Sequence, residues 1–159
     1  MTAAIINQHL RAALETSPPS VASLGAVLGV AFDDRSVEGH VTYHRARKLP
    51  APYTRGEVRE NDRDDDIELV MFVDVAQEVS KAEVNAPSGL PNETHDSPRI
   101  PPEGAVTERY QLSDIDVTLS FTSLTQRLRL YVVRWYPGGR PAPAHPPPPA
   151  PTAGDDPFA

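Results

Sequence analysis

Two stretches near the C-terminal end constrain the fold more than any other feature of the chain. Residues 114–121 (DIDVTLSF) and 127–136 (RLRLYVVRWY) each alternate apolar and polar side chains, and only Thr122–Gln126 separates them. A period of two marks a strand with one face buried and the other in water. A connection this short makes the pair a β-hairpin. Ile115, Val117, Leu119 and Phe121 then face the core, and Asp114, Asp116, Thr118 and Ser120 face water. Pairing Phe121 with Gln126 sets Leu119 opposite Leu128 and Val117 opposite Leu130. In that register Leu128, Leu130 and Val132 point inward, and Asp116 lies opposite Tyr131 with Arg129 on the diagonal. It is chosen because it keeps the two apolar faces together.

The same logic places the remaining elements. Residues 67–75 (IELVMFVDV) read as a central strand, with Ile67, Leu69, Met71, Val73 and Val75 on one face and Val70 and Phe72 on the other. Residues 37–45 (VEGHVTYHR) read as one alternating strand, and 105–112 (AVTERYQL) as a further short strand or the run-in to the hairpin. Residues 2–14 read as a short helix whose stripe Ile6, Leu10, Ala13 and Leu14 docks on the domain's own core. Residues 20–32 (SVASLGAVLGVAF) are small and apolar, and fit a buried helix or a buried strand equally. Residues 54–66 (TRGEVRENDRDDD) read as a charged loop and 84–104 as a long proline-containing loop suited to contacts between subunits. The fold class is therefore mainly β: a small antiparallel β-sandwich or curled sheet over residues 1–136, with one or two short N-terminal helices. Residues 137–159 hold nine prolines in 23 positions and read as a disordered tail.

Charge is distributed in blocks. The net charge is −7 over 159 residues. Arg35–Arg55 holds five basic residues against one acidic, Glu57–Asp116 sixteen acidic against five basic, and Val117–Arg140 four arginines and no acid. Such blocks pair within a fold or between copies, head to tail. The acidic total argues against general affinity for nucleic acid. No cysteine is present, which removes disulfides, thiol catalysis and Cys-ligated zinc. The first ten residues lack the pattern of a signal peptide, and the longest apolar run, Val21–Phe32, is too short to cross a bilayer. The expected setting is the cytoplasm or the interior of a larger assembly.

No constellation for chemistry survives inspection. His40 and His44 lie on a strand, where four residues span about 13 Å, too far to share one ion. Asp62, Asp64 and Asp66 open like a calcium loop, but Ile67 and Val73 stand where that loop needs Gly and Glu. There is no GxSxG, Ser-x-x-Lys, phosphate loop or GxGxxG. Neither a cofactor nor a metal is expected, and the chain reads as no enzyme. Arg45, Arg47 and Lys48, beside Tyr43 and Tyr53, form the one basic patch.

The tail ends Asp155-Asp156-Pro157-Phe158-Ala159. This acidic tip resembles the C-terminal tip of bacterial single-stranded-DNA-binding proteins, over four residues, with Ala159 where that family ends on Phe. The resemblance implies recruitment of partner proteins by Asp155, Asp156 and Phe158. The expected function is a non-catalytic structural or interaction protein that assembles with itself or with another protein. The alternative is a single-stranded nucleic-acid-binding accessory protein that uses Arg45, Arg47 and Lys48.

Overall fold

The structure is a computed structural model that describes residues 2–87, 91–97 and 104–139, the side chains of 96 and 97 excepted. Two helices come first: α1 (Thr2–Leu14) and α2 (Val21–Leu28). Eight strands follow: β1 (Asp34–Glu38), β2 (Val41–Arg45), β3 (Tyr53–Asn61), β4 (Asp66–Val73), β5 (Glu93–Ser97), β6 (Ala105–Leu112), β7 (Ile115–Thr122) and β8 (Leu128–Trp135). All are antiparallel in one sheet of order β1-β2-β3-β4-β8-β7-β6-β5. Two four-stranded meanders are thus joined through β4 and β8. The connection after β4 carries two 3₁₀ turns and leads to the far edge, where β5 pairs only with β6. The mainly β, antiparallel reading with short N-terminal helices holds. No helix among the described residues is long and apolar enough to cross a membrane.

The helices share a core with one face of the sheet. The stripe read on α1 is the buried one: Ile6, Leu10 and Ala13 pack into the cluster that holds Val58, Leu69, Met71, Val117, Leu119, Tyr131 and Val133. Within residues 20–32, Val21–Leu28 is a helix, started by a reciprocal capping box between Ser20 and Ser23. Gly29 ends it in the left-handed region at φ +65°. Gly25 cannot be replaced, since a Cβ there would stand 2.6 Å from the Val30 carbonyl oxygen, where the chain folds back against the helix. Leu24 and Leu28 face the core.

Four readings need correction. Residues 54–66 are not a loop: Tyr53–Asn61 is the nine-residue strand β3, and only a tight turn precedes β4. Residues 37–45 are not one strand, because Gly39, at φ +63°, turns the chain between β1 and β2. The loop 84–104 contains β5, while 88–90 and 98–103 lie outside the described residues. The last hairpin is paired differently: Leu119 opposes Tyr131, Val117 opposes Val133 and Asp116 opposes Arg134.

The cause of the last difference is a bulge. Phe121 pairs with Leu128 but Ser120 pairs with Leu130, so Arg129 is an extra residue on β8. One inserted residue exchanges the two faces of a strand beyond it. Tyr131, Val133 and Trp135 therefore face the core, and Leu130 and Val132 take the opposite face with Ser120 and Thr118. Leu119 remains wholly buried. Leu119→Ala is expected to lower stability by about 2–5 kcal/mol, read as a shift of the urea midpoint. Leu119→Asp should leave no cooperative transition, and a folded aspartate variant would contradict this placement.

Candidate functional site

The face of the sheet turned away from the helices is built from charge. Along one row Tyr43, Arg59, Glu68, Arg134 and Asp116 stand directly opposite one another on β2, β3, β4, β8 and β7. The next row places Arg45 against Glu57 at one end and Arg109 against Glu93 at the other. Like positions on neighbouring strands carry opposite signs, so each acid reaches an arginine sideways across the ladder.

Three carboxylates anchor the network and are scarcely exposed: Glu57 at 0 %, Asp116 at 4 % and Glu68 at 7 %. A buried carboxylate without a partner is strongly unfavourable, so each must be paired. Glu57 meets Arg59 at 3.1 Å, Arg55 at 3.5 Å and Arg45 at 3.7 Å. Glu68 takes Arg59 at 3.1 Å on one oxygen and Arg134 on the other. Asp116 accepts from Arg109 at 2.7 Å and from the Tyr136 hydroxyl at 3.0 Å. Arg109 also reaches Glu93 at 3.4 Å, and Arg134 lies 3.8 Å from Asp66. The guanidinium groups of Arg45 and Arg59 stand over the Tyr43 ring at 4.6 and 5.5 Å.

The protonation balance follows from this packing. Burial opposes the charged form of Arg134, but Glu68 and hydrogen bonds to Tyr136 and Glu68 outweigh it and raise its pKa. Burial likewise opposes the charge on Arg59, and Glu57 and Glu68 raise it overall. The hydrogen bond to Asp116 is the main cause that raises Arg109, against a smaller effect of burial. These arginines stay charged, and their charge is matched inside the chain.

That matching decides what the face can do. A depression of about 370 Å³ opens on it, lined among others by Glu68, Glu93, His95, Arg109, Asp116 and Arg134. Each of its acids, Glu68, Glu93 and Asp116, is tied to a guanidinium, and each of its arginines to a carboxylate. Recognition of phosphates along a strand rests on cations that have no internal counter-ion. Among the described residues no cluster of three side chains suited to a metal ion occurs.

The basic patch read from the sequence is drawn into the same pattern. Arg45 is held by Glu57 and donates to Ser36 Oγ at 2.8 Å. Arg47 pairs with Asp34 at 3.6 Å. Lys48 is exposed in the β2–β3 connection, with no ion-pair partner among the described residues. The three do not form one surface of free positive charge. His44, rejected as half of a metal pair, lies 2.6 Å from Glu60, and His40 sits in the β1–β2 turn. Asp155, Asp156 and Phe158 lie outside the described residues. The charge blocks meet inside the chain at Arg45–Glu57 and Arg134–Glu68.

A second polar arrangement, not anticipated from the sequence, lies on the core side. His9 Nδ1 is 2.8 Å from the Tyr53 hydroxyl, which is 2.8 Å from the Tyr131 hydroxyl. Burial pushes Tyr53 up to about 12, against a smaller opposite effect of its bond to Tyr131, and pushes Tyr131 well above its usual range. Both phenols thus hold their protons more tightly than a free tyrosine. The chain ties α1 to β3 and β8. The only sequence signal for it was a histidine beside the apolar stripe of α1.

Comparison with family models, with curated proteins and with solved structures finds no match for this chain.

Two outcomes are expected from these contacts. Glu57→Ala strands three arginines, but they are partly exposed and regain water. The loss should be about 2–3 kcal/mol, below the ~3–5 kcal/mol of a fully buried pair, measured by urea unfolding. The second concerns pH. Burial lowers the His9 pKa below 6.5, so the unfolded chain takes up the proton more readily than the folded one. The contribution of His9 is complete above pH 6.5 and is lost as pH falls through the lowered value. Melting temperatures from pH 7.5 down to 5 should show a fall that is smaller in His9→Gln; equal slopes in both chains would contradict it.

Proposed function

We propose that this protein is a non-catalytic interaction protein that assembles with copies of itself. The observation that carries the reading is the outer face of α2. Ser20–Phe32 contains no charged residue. Leu24 and Leu28 are buried, yet Ala22, Ala26, Val27, Gly29 and Ala31 are exposed. A helix with no charged side is ordinarily covered all round. In this chain one side has no cover among the described residues.

A second copy suits that face. The chain carries a net charge of −7, so two copies repel over most of their surface. An uncharged patch is where like-charged copies approach at least cost. The small side chains at Ala22, Ala26 and Gly29 leave no ridge and allow two helices to come close. The matched charges of the sheet's open face support the non-catalytic part of the reading, since its acids and arginines are occupied with one another.

The test is the mass in solution by light scattering over concentration and salt, for the wild type and for Ala26→Glu. The wild type should gain mass with concentration, more readily at high salt, where repulsion between copies is screened. Ala26→Glu should stay monomeric with an unchanged melting temperature, because Ala26 is exposed. A wild type that remains monomeric throughout, or an Ala26→Glu chain that associates equally, would overturn the reading.

A further inference from the structure

A second depression, of about 350 Å³, lies where α1, the α1–α2 connection and the ends of β7 and β8 meet. Its walls include Pro18, Pro19, Trp135, Tyr136 and Pro137, and Asp114 stands among them. Asp114 is exposed and has no ion-pair partner among the described residues. The indole N–H of Trp135 is buried without an acceptor.

We propose that this depression binds the chain's own proline-rich segment, Arg140–Pro146. The inference is independent of the association through α2. Three observations point to that occupant. The first is position. Pro137 forms part of the wall, and the Gly139 N–H donates to the Tyr136 carbonyl at 2.9 Å. That turn reverses the chain at the edge of the depression, and Arg140 is the next residue.

The second is shape and chemistry. The segment reads Arg140-Pro141-Ala142-Pro143-Ala144-His145-Pro146. Prolines at this density favour an extended left-handed helix whose carbonyls have no internal donors. Such helices lie in grooves walled by aromatic rings, with proline rings against the aromatic faces. Trp135 and Tyr136, 4 % and 6 % exposed, bring small ring areas to this wall beside Pro18, Pro19 and Pro137. The third is charge. Arg140 opens the segment, and Asp114 is the acid at the depression.

Tethering strengthens the fit. A segment that begins beside its own site is present at high effective concentration, so weak contacts suffice. The docked segment would fix the direction in which the rest of the tail leaves the domain.

The chain offers its own probes. It has no cysteine, so Ala144→Cys gives a single attachment point for a nitroxide, and it has one tryptophan, so one indole N–H signal reports on the depression. In the full-length labelled chain the nitroxide should broaden the Trp135 signal several-fold more than in the same chain carrying Pro141→Ser, Pro143→Ser and Pro146→Ser. Asp114→Lys should weaken the broadening, and adding Arg140→Glu should restore it. Equal broadening with and without the prolines would overturn the proposal. Mixing isotope-labelled chains with nitroxide-labelled chains separates the sources. Broadening seen only between different chains would place a neighbour's tail in the depression and overturn binding within one chain.

Discussion

The pairing of β4 with β8 is the contact on which the rest of the structure depends. Without it the chain is two separate four-stranded meanders. With it Leu69 stands against Val133 and Met71 against Tyr131, and a continuous apolar surface forms for the helices to cover. On the other side of the same ladder Glu68 stands against Arg134, so one pairing closes both the core and the ionic network. The Glu68–Arg134 pair also favours this register, because a slip by one residue would carry Glu68 into the core and Leu69 out of it.

The ionic face follows from leaving one side of a wide sheet without helices. Short residues there would leave backbone open to water, and apolar residues would invite aggregation. Arginines laid across buried carboxylates cover the sheet with their long stems while their charges stay matched. Glu57 shows the limit of this arrangement. It touches three arginines, yet its Oε2 has no hydrogen-bond partner among the described residues, only the 3.7 Å approach of Arg45. Such a lattice adds little net stability over a well-packed apolar face, but it disfavours alternative pairings, because a displaced strand would oppose like charges.

This is also why the sequence disclosed the fold unevenly. The stripe Ile6, Leu10 and Ala13 and the run from Leu69 to Val73 were legible, since apolar periodicity alone defines them. Strand β3 was not. Its residues Arg55, Glu57 and Arg59 point to the ionic face, and beyond Tyr53 only Val58 of this strand joins the core cluster. A strand whose outward side chains are charged looks like a loop until the opposite charges on β2 and β4 are set beside it. The register of the last hairpin failed for another reason. Arg129 is a bulge, and nothing in an alternating pattern distinguishes an extra residue from the next step of the alternation. The basic patch Arg45, Arg47 and Lys48 was visible as residues but not as a site, because Asp34 and Glu57, which match two of the three, are distant in sequence.

The same neutralisation narrows where recognition can occur. A surface whose cations and anions already satisfy one another offers a partner little electrostatic gain, because every new ion pair must first break an old one. Elsewhere lie the uncharged outer side of α2 and the depression at the end of β8, where Asp114 has no ion-pair partner among the described residues. Both sit on the helical side of the molecule, near the start and the end of the described chain. The sheet thus carries the matched charges, and the uncharged surface lies on the segment that precedes it in sequence.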